Sequence, residues 1–246
     1  MKSKSVKTLN LALSAVFAAL VCVATMIFTV YVPLTRGFFN IGETMVYTSA
    51  LLFGPYVGAF AGGVGSMLAD LLLGYPHYAP ATLVIKALEG FIVGSLSRIK
   101  PKRGSASSWK IATVIIGILA GFLLAFVGAT LYSGRIELYL GYPPPEKPNL
   151  VMYISPYLWY TLGAIITIAT SCVGLIFEAE FGWIILCVLV GGSEMVLGYF
   201  LYEQLILGVV AIAEIPINIM QMIVGLIVSI PLVRALWRII PQFKPT

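Results

Sequence analysis

Four ionisable side chains stand inside one long apolar stretch, residues 39–94, and this combination constrains the fold most strongly. They are Glu43, Asp70, Lys86 and Glu89. A charged side chain that faces lipid at the centre of a bilayer costs roughly 2.5–3.5 kcal/mol. We therefore expect these groups to line a pore or a pocket, or to pair with one another, behind walls that the rest of the chain supplies.

The composition excludes an ordinary soluble domain. Of the 246 residues, 60% are hydrophobic and 10% are charged, whereas soluble domains carry about 25% charged residues. We interpret the chain as one polytopic membrane domain, residues 1–246. The net charge of +5 lies in short runs beside apolar segments, so it does not indicate nucleic-acid binding.

The three cysteines, Cys22, Cys172 and Cys187, lie inside apolar segments without the spacing of a metal site, so neither a metal nor a disulfide is expected.

Seven apolar segments follow one another along the chain, and one of them is long enough for two helices. They cover about residues 9–32, 43–73, 80–97, 111–132, 153–177, 183–206 and 213–233. The first exceeds the core of a signal peptide, about 7–15 residues, and reaches the ~20 residues that span a bilayer, so we expect a retained helix. The second contains Gly54-Pro55, where we expect a helical hairpin to turn because proline interrupts the hydrogen-bond ladder.

Charge bias sets the predicted topology. Eleven of the fifteen Lys and Arg residues fall in three clusters: Lys2, Lys4 and Lys7; Arg98, Lys100, Lys102, Arg103 and Lys110; and Arg234, Arg238 and Lys244. The positive-inside rule places all three in the cytoplasm, which requires an even number of crossings between them. We therefore predict an all-α polytopic membrane protein of about eight transmembrane helices with both termini cytoplasmic. Loops 33–42, 74–80, 133–152 and 207–212 then face outward.

Polar residues cluster at the outer ends of four predicted helices. They are Asp70; Lys86 and Glu89; Tyr199 and Glu203; and the stripe Glu214, Asn218 and Gln221. Residues three or four apart share a helix face, and the cytoplasmic halves carry few polar residues apart from Glu194. The pattern favours an outward-facing pocket over a channel. A purely structural interpretation stays open, in which Lys86 pairs with a neighbouring carboxylate and the amides join helices.

Motifs for catalysis are absent from the sequence. It holds a single histidine, His77, and no Cys–His pair, GxSxG or HExxH pattern, so we do not expect an enzyme. It also has no GxxxxGKS or GxxxxGKT phosphate loop, so any step driven by ATP must be supplied by another protein. The glycines between residues 58 and 65 are spaced for close helix packing.

The apolar stretch resembles a known family of membrane proteins. The run FNIGETMVYTSALLFGPYVGAFAGGVGSMLADLLLGY, followed by APATLVIKALEGFIVG, resembles the substrate-binding S component of energy-coupling factor (ECF) vitamin transporters. GYFLYE at 198–203 and EIPINIMQMIVG at 214–225 are similar to the last two helices of that family, and Ala15 and Ala19 to the AxxxA pattern of its first helix. The similarity covers about residues 8–100 and 190–235. The branch is the one associated with hydroxymethylpyrimidine, pyridoxine-like and riboflavin substrates.

The resemblance implies a six-helix bundle that captures a vitamin from outside and has no cofactor of its own. It would dock through an alanine face of its first helix, Ala12, Ala15 and Ala19, onto a transmembrane coupling subunit that carries two ATPases. This chain has an extra helical pair, so we expect a hairpin inserted at 111–182, between residues 8–110 and 183–246. The alternative is a standalone ion-coupled transporter or channel in which Asp70, Lys86 and Glu89 relay protons.

A flat vitamin ring needs aromatic walls and a few directed polar groups in a largely apolar pocket. The outer cluster offers both. The candidate substrate-binding residues are Phe39, Asn40, Glu43, Asp70, Tyr78, Lys86, Glu89, Tyr199, Glu203, Asn218 and Gln221. Among them Asn218 is the strongest candidate for a direct contact with the substrate, because a side-chain amide can both donate hydrogen bonds to the edge of a heterocycle and accept them from it.

Overall fold

The structure is a computed structural model, and it describes residues 2–32, 37–99, 106–131, 133–138, 147, 150–176 and 179–244. These residues form eight α-helices: α1 Lys2–Ile27, α2 Glu43–Phe53, α3 Pro55–Leu73, α4 Ala79–Ser97, α5 Ala106–Leu131, α6 Pro156–Ile176, α7 Ala179–Leu207 and α8 Ile215–Ile239. Short 3₁₀ helices follow α7, at Gly208–Glu214, and α8, at Pro241–Phe243. The predicted all-α polytopic architecture is confirmed.

Every helix except α2 is long and apolar enough to cross a membrane, which gives seven candidate spans among the described residues. Helix α2 has 11 residues and rises only about 16 Å at ~1.5 Å per residue, roughly half of the hydrocarbon core. Nine of its residues are buried, since the surrounding helices enclose it. The outer faces of the long helices expose large apolar side chains such as Leu72 and Leu201. The chain is a multi-pass membrane protein, and the side on which its termini lie stays a prediction.

The break between α2 and α3 lies at the predicted Gly54-Pro55 position. Gly54 has a φ of +88°, which glycine adopts at little cost. Pro55 is the first residue of α3, where its missing N–H would have had no helical partner anyway. The guanidinium of Arg98, just past the end of α4, donates to the carbonyl oxygen of Leu52 at 2.9 Å and so satisfies one of the last carbonyls of α2.

Two short antiparallel hairpins interrupt the helices. Strand β1, Thr29–Val32, pairs with β2, Gly37–Asn40, in the register Val30 opposite Phe39. The expectation of helix up to residue 32 was therefore wrong. Three of the four residues of β1 are β-branched and the other is tyrosine, and these types favour a strand when a partner strand is present.

The second hairpin follows α5. Strand β3, Gly134–Leu138, pairs with β4, Leu150–Ile154, in the region predicted as an outward loop. The helix predicted from residue 153 begins instead at Pro156, because a proline is well placed in the first turn. Residues 139–146, inside the predicted outward loop 133–152, lie outside the described residues, as do Lys100, Lys102 and Arg103 of the second basic cluster.

The chain divides into two compact units. The larger consists of Met1–Lys100 and Ile184–Thr246, and the smaller of Pro101–Trp183. In the smaller unit α5 packs closely on α6: the hydroxyl of Thr167 donates to the carbonyl oxygens of Gly117 at 3.1 Å and Gly163 at 3.0 Å. The predicted division at residues 8–110, 111–182 and 183–246 stays a prediction.

Glycines bring α3 and α4 of the larger unit into backbone contact. A Cβ on Gly58 would lie 2.8 Å from the carbonyl oxygen of Gly90, and one on Gly62 would lie 2.6 Å from that of Lys86. On another face of α3, a Cβ on Gly65 would lie 2.5 Å from the carbonyl oxygen of Ala18. The predicted packing role of these small residues is therefore confirmed, and the close approach aligns the polar faces of α3 and α4.

Candidate functional site

A cavity lies at one end of the larger unit, where α1, α3 and α7 finish and α2, α4 and α8 begin. Its lining comes from five of these helices, all but α2, from strand β2 and from the residues that flank them. The lining residues are Thr25, Phe38, Asn40, Ser66, Asp70, Tyr78, Thr82, Lys86, Tyr199, Glu203, Glu214, Asn218 and Gln221. The volume is about 50 Å³, which is room for a few water-sized molecules.

Helical spacing explains how these side chains share the cavity. On α3, Ser66 and Asp70 are one turn apart. Tyr78, Thr82 and Lys86 follow at the same interval along the start of α4. Tyr199 with Glu203 on α7, and Glu214, Asn218 and Gln221 at the start of α8, repeat the pattern. Residues three or four apart lie on one face, so each helix presents a polar stripe in an otherwise apolar sequence.

The cavity is lined by eight of the eleven residues predicted for the substrate site. They are Asn40, Asp70, Tyr78, Lys86, Tyr199, Glu203, Asn218 and Gln221. The other three predicted residues, Phe39, Glu43 and Glu89, are not in the lining. Whether the eight bind a substrate stays a prediction.

Phe38 lines the cavity in place of Phe39. Successive residues of a strand point to opposite faces, so only one of two neighbouring phenylalanines on β2 can reach it. Phe39 instead packs edge-on against Phe28, with 6.3 Å between the ring centroids. The ring of Phe38 packs on Tyr75 at 4.8 Å. The choice between the two follows from the register of the β1–β2 hairpin, which the sequence pattern did not reveal.

Glu43 and Glu89 are buried behind the cavity and hold Lys86. The ammonium of Lys86 bridges the two carboxylates: it donates to Oε1 of Glu43 and, at 3.0 Å, to Oε2 of Glu89. Glu89 also accepts a 2.7 Å hydrogen bond from the hydroxyl of Tyr47 on α2. All three charged side chains are at most 4% exposed. Buried charges persist only when they are paired and hydrogen-bonded, so this cluster joins α2 to α4 and fixes where Lys86 stands.

An amide network connects β2 to α8 along another side of the cavity. Oε1 of Gln221 accepts hydrogen bonds from the backbone N–H of Asn40 at 2.8 Å and from its side-chain amide at 2.6 Å. Nε2 of Gln221 donates to Oδ1 of Asn218 at 3.0 Å. The carbonyl of Asn218 therefore already accepts one bond, and its side-chain NH₂ is the group that a ligand would meet.

A second chain of hydrogen bonds joins three helices. The hydroxyl of Tyr199 donates to Oγ1 of Thr82 at 3.0 Å, and Thr82 hydrogen-bonds to the carboxyl group of Asp70. The ring of Tyr199 also lies 5.5 Å from the ammonium of Lys86, within the range of a cation–π contact. The side chain of Tyr199 thus lines the cavity and links α7 to α4.

Some of the lining residues carry buried oxygen atoms without a hydrogen-bond partner. Among the described residues they include Oδ2 of Asp70 and Oε2 of Glu203. The hydroxyl of Tyr78 lies against Glu203 without meeting the geometry of a hydrogen bond. Burial, with the neighbouring carboxyl groups of Glu203 and Glu214, raises the pKa of Tyr78 well above its ordinary value. Tyr78 therefore stays neutral and can act as a donor.

Five lining residues were absent from the predicted site: Thr25, Phe38, Ser66, Thr82 and Glu214. The small hydroxyl residues give little signal inside apolar helices, where serine and threonine often bond their own backbone. Their spacing was the available clue, since Ser66 and Thr82 each stand one turn from a charged lining residue. Glu214 belongs to the polar stripe predicted on α8 but not to the predicted substrate-binding residues.

Aromatic rings surround the cavity at the turn between α3 and α4. His77 packs on Tyr78 with centroids 4.8 Å apart, and Tyr78 packs edge-on against Tyr202 at 5.8 Å. The hydroxyl of Tyr202 also donates to the carbonyl oxygen of His77, which ties α7 to this turn. The imidazole itself is exposed and does not line the cavity. No group of three or more potential metal ligands occurs in the part of the chain that the structure describes.

The predicted alanine face of α1 is exposed. Ala12, Ala15 and Ala19 point away from the bundle, whereas Ala18 and Val21 are buried against it. Large apolar side chains, including Val16 and Val23, flank the alanines and are also exposed. The face therefore combines a shallow surface with an apolar rim, and no described residue of the larger unit covers it.

Comparison with known proteins supplies the family. The sequence matches the ECF-type riboflavin transporter S component family over residues 5–168. It is 43% identical over 107 residues to an uncharacterized protein of Pyrococcus woesei, a match that covers 44% of this chain and 72% of that protein. It is also 33% identical over 101 residues to the thiamine precursor transporter HmpT of Lactococcus lactis subsp. cremoris (strain MG1363), covering 41% of this chain and 59% of that protein.

The family match spans about two thirds of the chain and contains the first part of the predicted resemblance, residues 8–100. The second part, residues 190–235, lies outside the matched range. The expectation that the chain is not an enzyme is confirmed by the family, whose members are subunits of transporters. The chain belongs to the family of ECF-type riboflavin transporter S components.

Proposed function

We propose that this protein captures a vitamin or vitamin precursor outside the cell and delivers it inward with a transmembrane coupling subunit and two ATPase subunits. The substrate would be of the hydroxymethylpyrimidine, pyridoxine or riboflavin type. The family supports transport of a vitamin-type molecule, and the thiamine precursor transporter among the relatives supports a small heterocycle. Because the sequence has no phosphate loop of its own, the partner subunits would hydrolyse the ATP.

The observation that carries this proposal is the position of the cavity. It lies at one end of the larger unit, whereas Arg98, Arg234 and Arg238 lie at the opposite ends of α4 and α8. By the positive-inside rule the basic end faces the cytoplasm, so the cavity would open outward. Polar lining gathered at one end of the bundle favours capture over a continuous pore.

The exposed alanine face of α1 supports docking onto a coupling subunit. Small side chains let another helix approach closely, which is the main source of packing energy between helices in lipid. Ala12, Ala15 and Ala19 stand free of the packing within the larger unit, as a docking face requires. In this proposal the hairpin at 111–182 is an insertion in the sequence, and the other two parts, residues 8–110 and 183–246, form the capturing bundle.

Reconstitution tests the proposal. The purified chain is placed in liposomes alone, and with a coupling subunit and two ATPases, and uptake of a labelled vitamin is followed with and without ATP inside. We expect uptake only when all subunits and ATP are present, and native mass spectrometry should detect a heterocycle bound to the lone chain. Concentrative uptake by the lone chain, driven by an ion gradient, would contradict the proposal.

That contrary result would support the second candidate, a standalone ion-coupled transporter. One observation favours it: the buried cluster continues below the cavity to Glu194 on α7, which lies close enough to interact with Glu89 and Lys86. Oε2 of Glu194 has no hydrogen-bond partner among the described residues. Substitution of Glu194 by glutamine separates the two functions, because a proton relay would lose transport whereas a capture subunit would retain it.

A further inference from the structure

The β3–β4 hairpin of the smaller unit directly continues two membrane-spanning helices. Helix α5 ends at Leu131, and β3 begins at Gly134. Strand β4 ends at Ile154, and α6 begins at Pro156. Both helices are long and apolar enough to cross a membrane. The hairpin therefore starts and finishes at the level where the bilayer ends, so the lipid surface lies beside it.

Strand β4 exposes apolar or aromatic side chains on both faces of the hairpin. Val151, Met152 and Tyr153 are 47%, 44% and 77% exposed. Successive residues of a strand point to opposite faces, so Met152 lies on one face and Val151 and Tyr153 lie on the other. A single two-stranded hairpin is marginally stable at best in water. This hairpin therefore requires an apolar neighbour.

Tyrosines mark the level of the membrane surface. Tyr153 on β4 and Tyr157 in the first turn of α6 are both largely exposed, and Tyr160 is half exposed. Tyrosine is enriched where a membrane meets water, because its ring is apolar and its hydroxyl forms hydrogen bonds. The 21 residues of α6 rise about 31 Å, which matches the ~30 Å hydrocarbon core. A span that begins at Pro156 therefore places Tyr157 at the boundary.

The length of the hairpin decides how it lies on the membrane. Val151 precedes Pro156 by five residues, a distance of up to ~16 Å at ~3.3 Å per residue. The headgroup layer outside the hydrocarbon is only about 5–8 Å thick. A hairpin perpendicular to the membrane would carry Val151 into water, and open strand edges do not occur in the hydrocarbon. A hairpin that lies along the headgroup layer avoids both problems.

A basic side chain shares a face with one of the tyrosines. Arg135 on β3 is opposite Tyr153 in the register, and its side chain is exposed. Directly opposite residues of an antiparallel pair lie on the same face, and a guanidinium binds phosphate well. We propose that the β3–β4 hairpin is a membrane-surface anchor. It lies along the lipid headgroups, with Tyr153 and Tyr157 at the edge of the hydrocarbon and Arg135 directed at lipid phosphates.

Nitroxide labels measure the depth of the hairpin in the full-length protein. The labels are attached to Val151→Cys or Met152→Cys in a chain whose native cysteines are replaced, in phosphatidylcholine nanodiscs. Oxygen concentrates in lipid, whereas a nickel chelate stays in water. We expect both labels to be accessible to oxygen and to collide with the chelate at least fivefold less often than the free label in buffer. A label on Ile165→Cys, at an exposed position within α6, provides the hydrocarbon reference.

Two other results would overturn the proposal. A label on Val151→Cys that meets the nickel chelate as often as the free label does would show that the hairpin stands in water. Labels shielded from both reagents would show that protein covers the hairpin, and dipolar broadening between labels would identify that protein as a second copy of the chain.

Loss of the tyrosine rings provides the second readout. The double variant Tyr153→Ala/Tyr157→Ala should raise the chelate accessibility of the Met152→Cys label at least twofold, because the hairpin loses its contacts at the boundary. The matched control is Leu162→Ala, which removes an exposed apolar side chain further along α6 and should leave that accessibility unchanged. Thermal unfolding in the nanodiscs verifies that each variant is folded. Unchanged accessibility in the folded double variant would refute the anchoring role of the tyrosines.

Discussion

The hydroxyl of Tyr199 on α7 donates a 3.0 Å hydrogen bond to Oγ1 of Thr82 on α4 and thereby joins two helices across the cavity. Tyr199→Phe removes this bond and keeps the ring. We expect the free energy of unfolding to fall by about 1 kcal/mol, the typical net value of such a bond, while ligand affinity changes little. Tyr199→Ala should lower both, because it also removes the wall and the contact with Lys86. Denaturant unfolding in detergent measures the first effect and calorimetry the second.

Asn218→Ala should weaken ligand binding without unfolding the protein. Stranding one hydrogen-bonding group of a buried ligand costs ~1–3 kcal/mol, which corresponds to a loss of about 5- to 150-fold at ~1.4 kcal/mol per decade. The control on the same helix is Ser229→Ala, because Ser229 is buried outside the cavity and its hydroxyl has no partner among the described residues. That control should bind as the wild type does. An unchanged affinity in Asn218→Ala would place the site elsewhere.

Lys86→Ala should destabilise the fold more than any other single change in the cavity. It leaves the buried carboxylates of Glu43 and Glu89 without their shared cation, and breaking one side of a buried pair costs about 3–5 kcal/mol. The triple variant Lys86→Met with Glu43→Gln and Glu89→Gln should recover much of this loss, because no charge then remains unpaired. Thermal unfolding of the detergent-purified variants compares them. Equal stability of the single and the triple variant would contradict the charge explanation.

Ala15→Trp and Ala19→Trp should abolish uptake by the assembled transporter while substrate binding persists. An indole ring fills the shallow surface that a partner helix needs for close approach, and both positions are exposed and outside the lining. Leu88→Trp, at an exposed position of α4, controls for a bulky ring on the lipid-facing surface. If the double variant Ala15→Trp/Ala19→Trp transported at the wild-type rate with its partners present, α1 would not be the docking face.

Cysteine labelling tests the topology. In a chain whose three native cysteines are replaced, Ser105→Cys should react only with reagents that reach the cytoplasm, and Ser133→Cys should react from outside. Ser105 lies outside the described residues and Ser133 directly precedes β3. The expectation follows from the clustering of basic residues on one side of the membrane. Reaction of Ser105→Cys from outside would show that the chain has the opposite orientation in the membrane. The cavity would then open to the cytoplasm, which contradicts the proposed capture from outside.

The helices could be predicted because their signals are local. Proline at residue 55 and glycine before it mark the break between α2 and α3 on chemical grounds alone. The strand at 29–32 could not be distinguished in the same way, since a short apolar run fits either a helix or a strand. Its conformation depends on pairing with residues 37–40, which lie beyond any local pattern.

Charge makes Asp70 and Lys86 improbable in lipid, and this local signal was enough to expect them in the lining of a pocket, where the structure has them. Their binding of a substrate stays a prediction, and the sequence did not reveal which partner each charged group meets. Glu43 and Glu89 looked equivalent to Asp70 in the sequence, yet two of these three carboxylates neutralise Lys86 and only the third reaches the cavity. The pairing of these groups in three dimensions decides whether a carboxylate is structural or faces a ligand. A single sequence does not reveal that pairing.

The glycines of α3 have a mechanical consequence. With backbone resting on backbone at Gly58 and Gly62, α3 and α4 have no side chain between them at these two positions that could be compressed or rearranged. The two helices therefore form a rigid pair, which holds Asp70 and Lys86 at a fixed distance from each other. A heterocycle larger than the present 50 Å³ cavity can therefore fit only if the other wall of the cavity moves. That wall is built from strand β2 and helices α7 and α8.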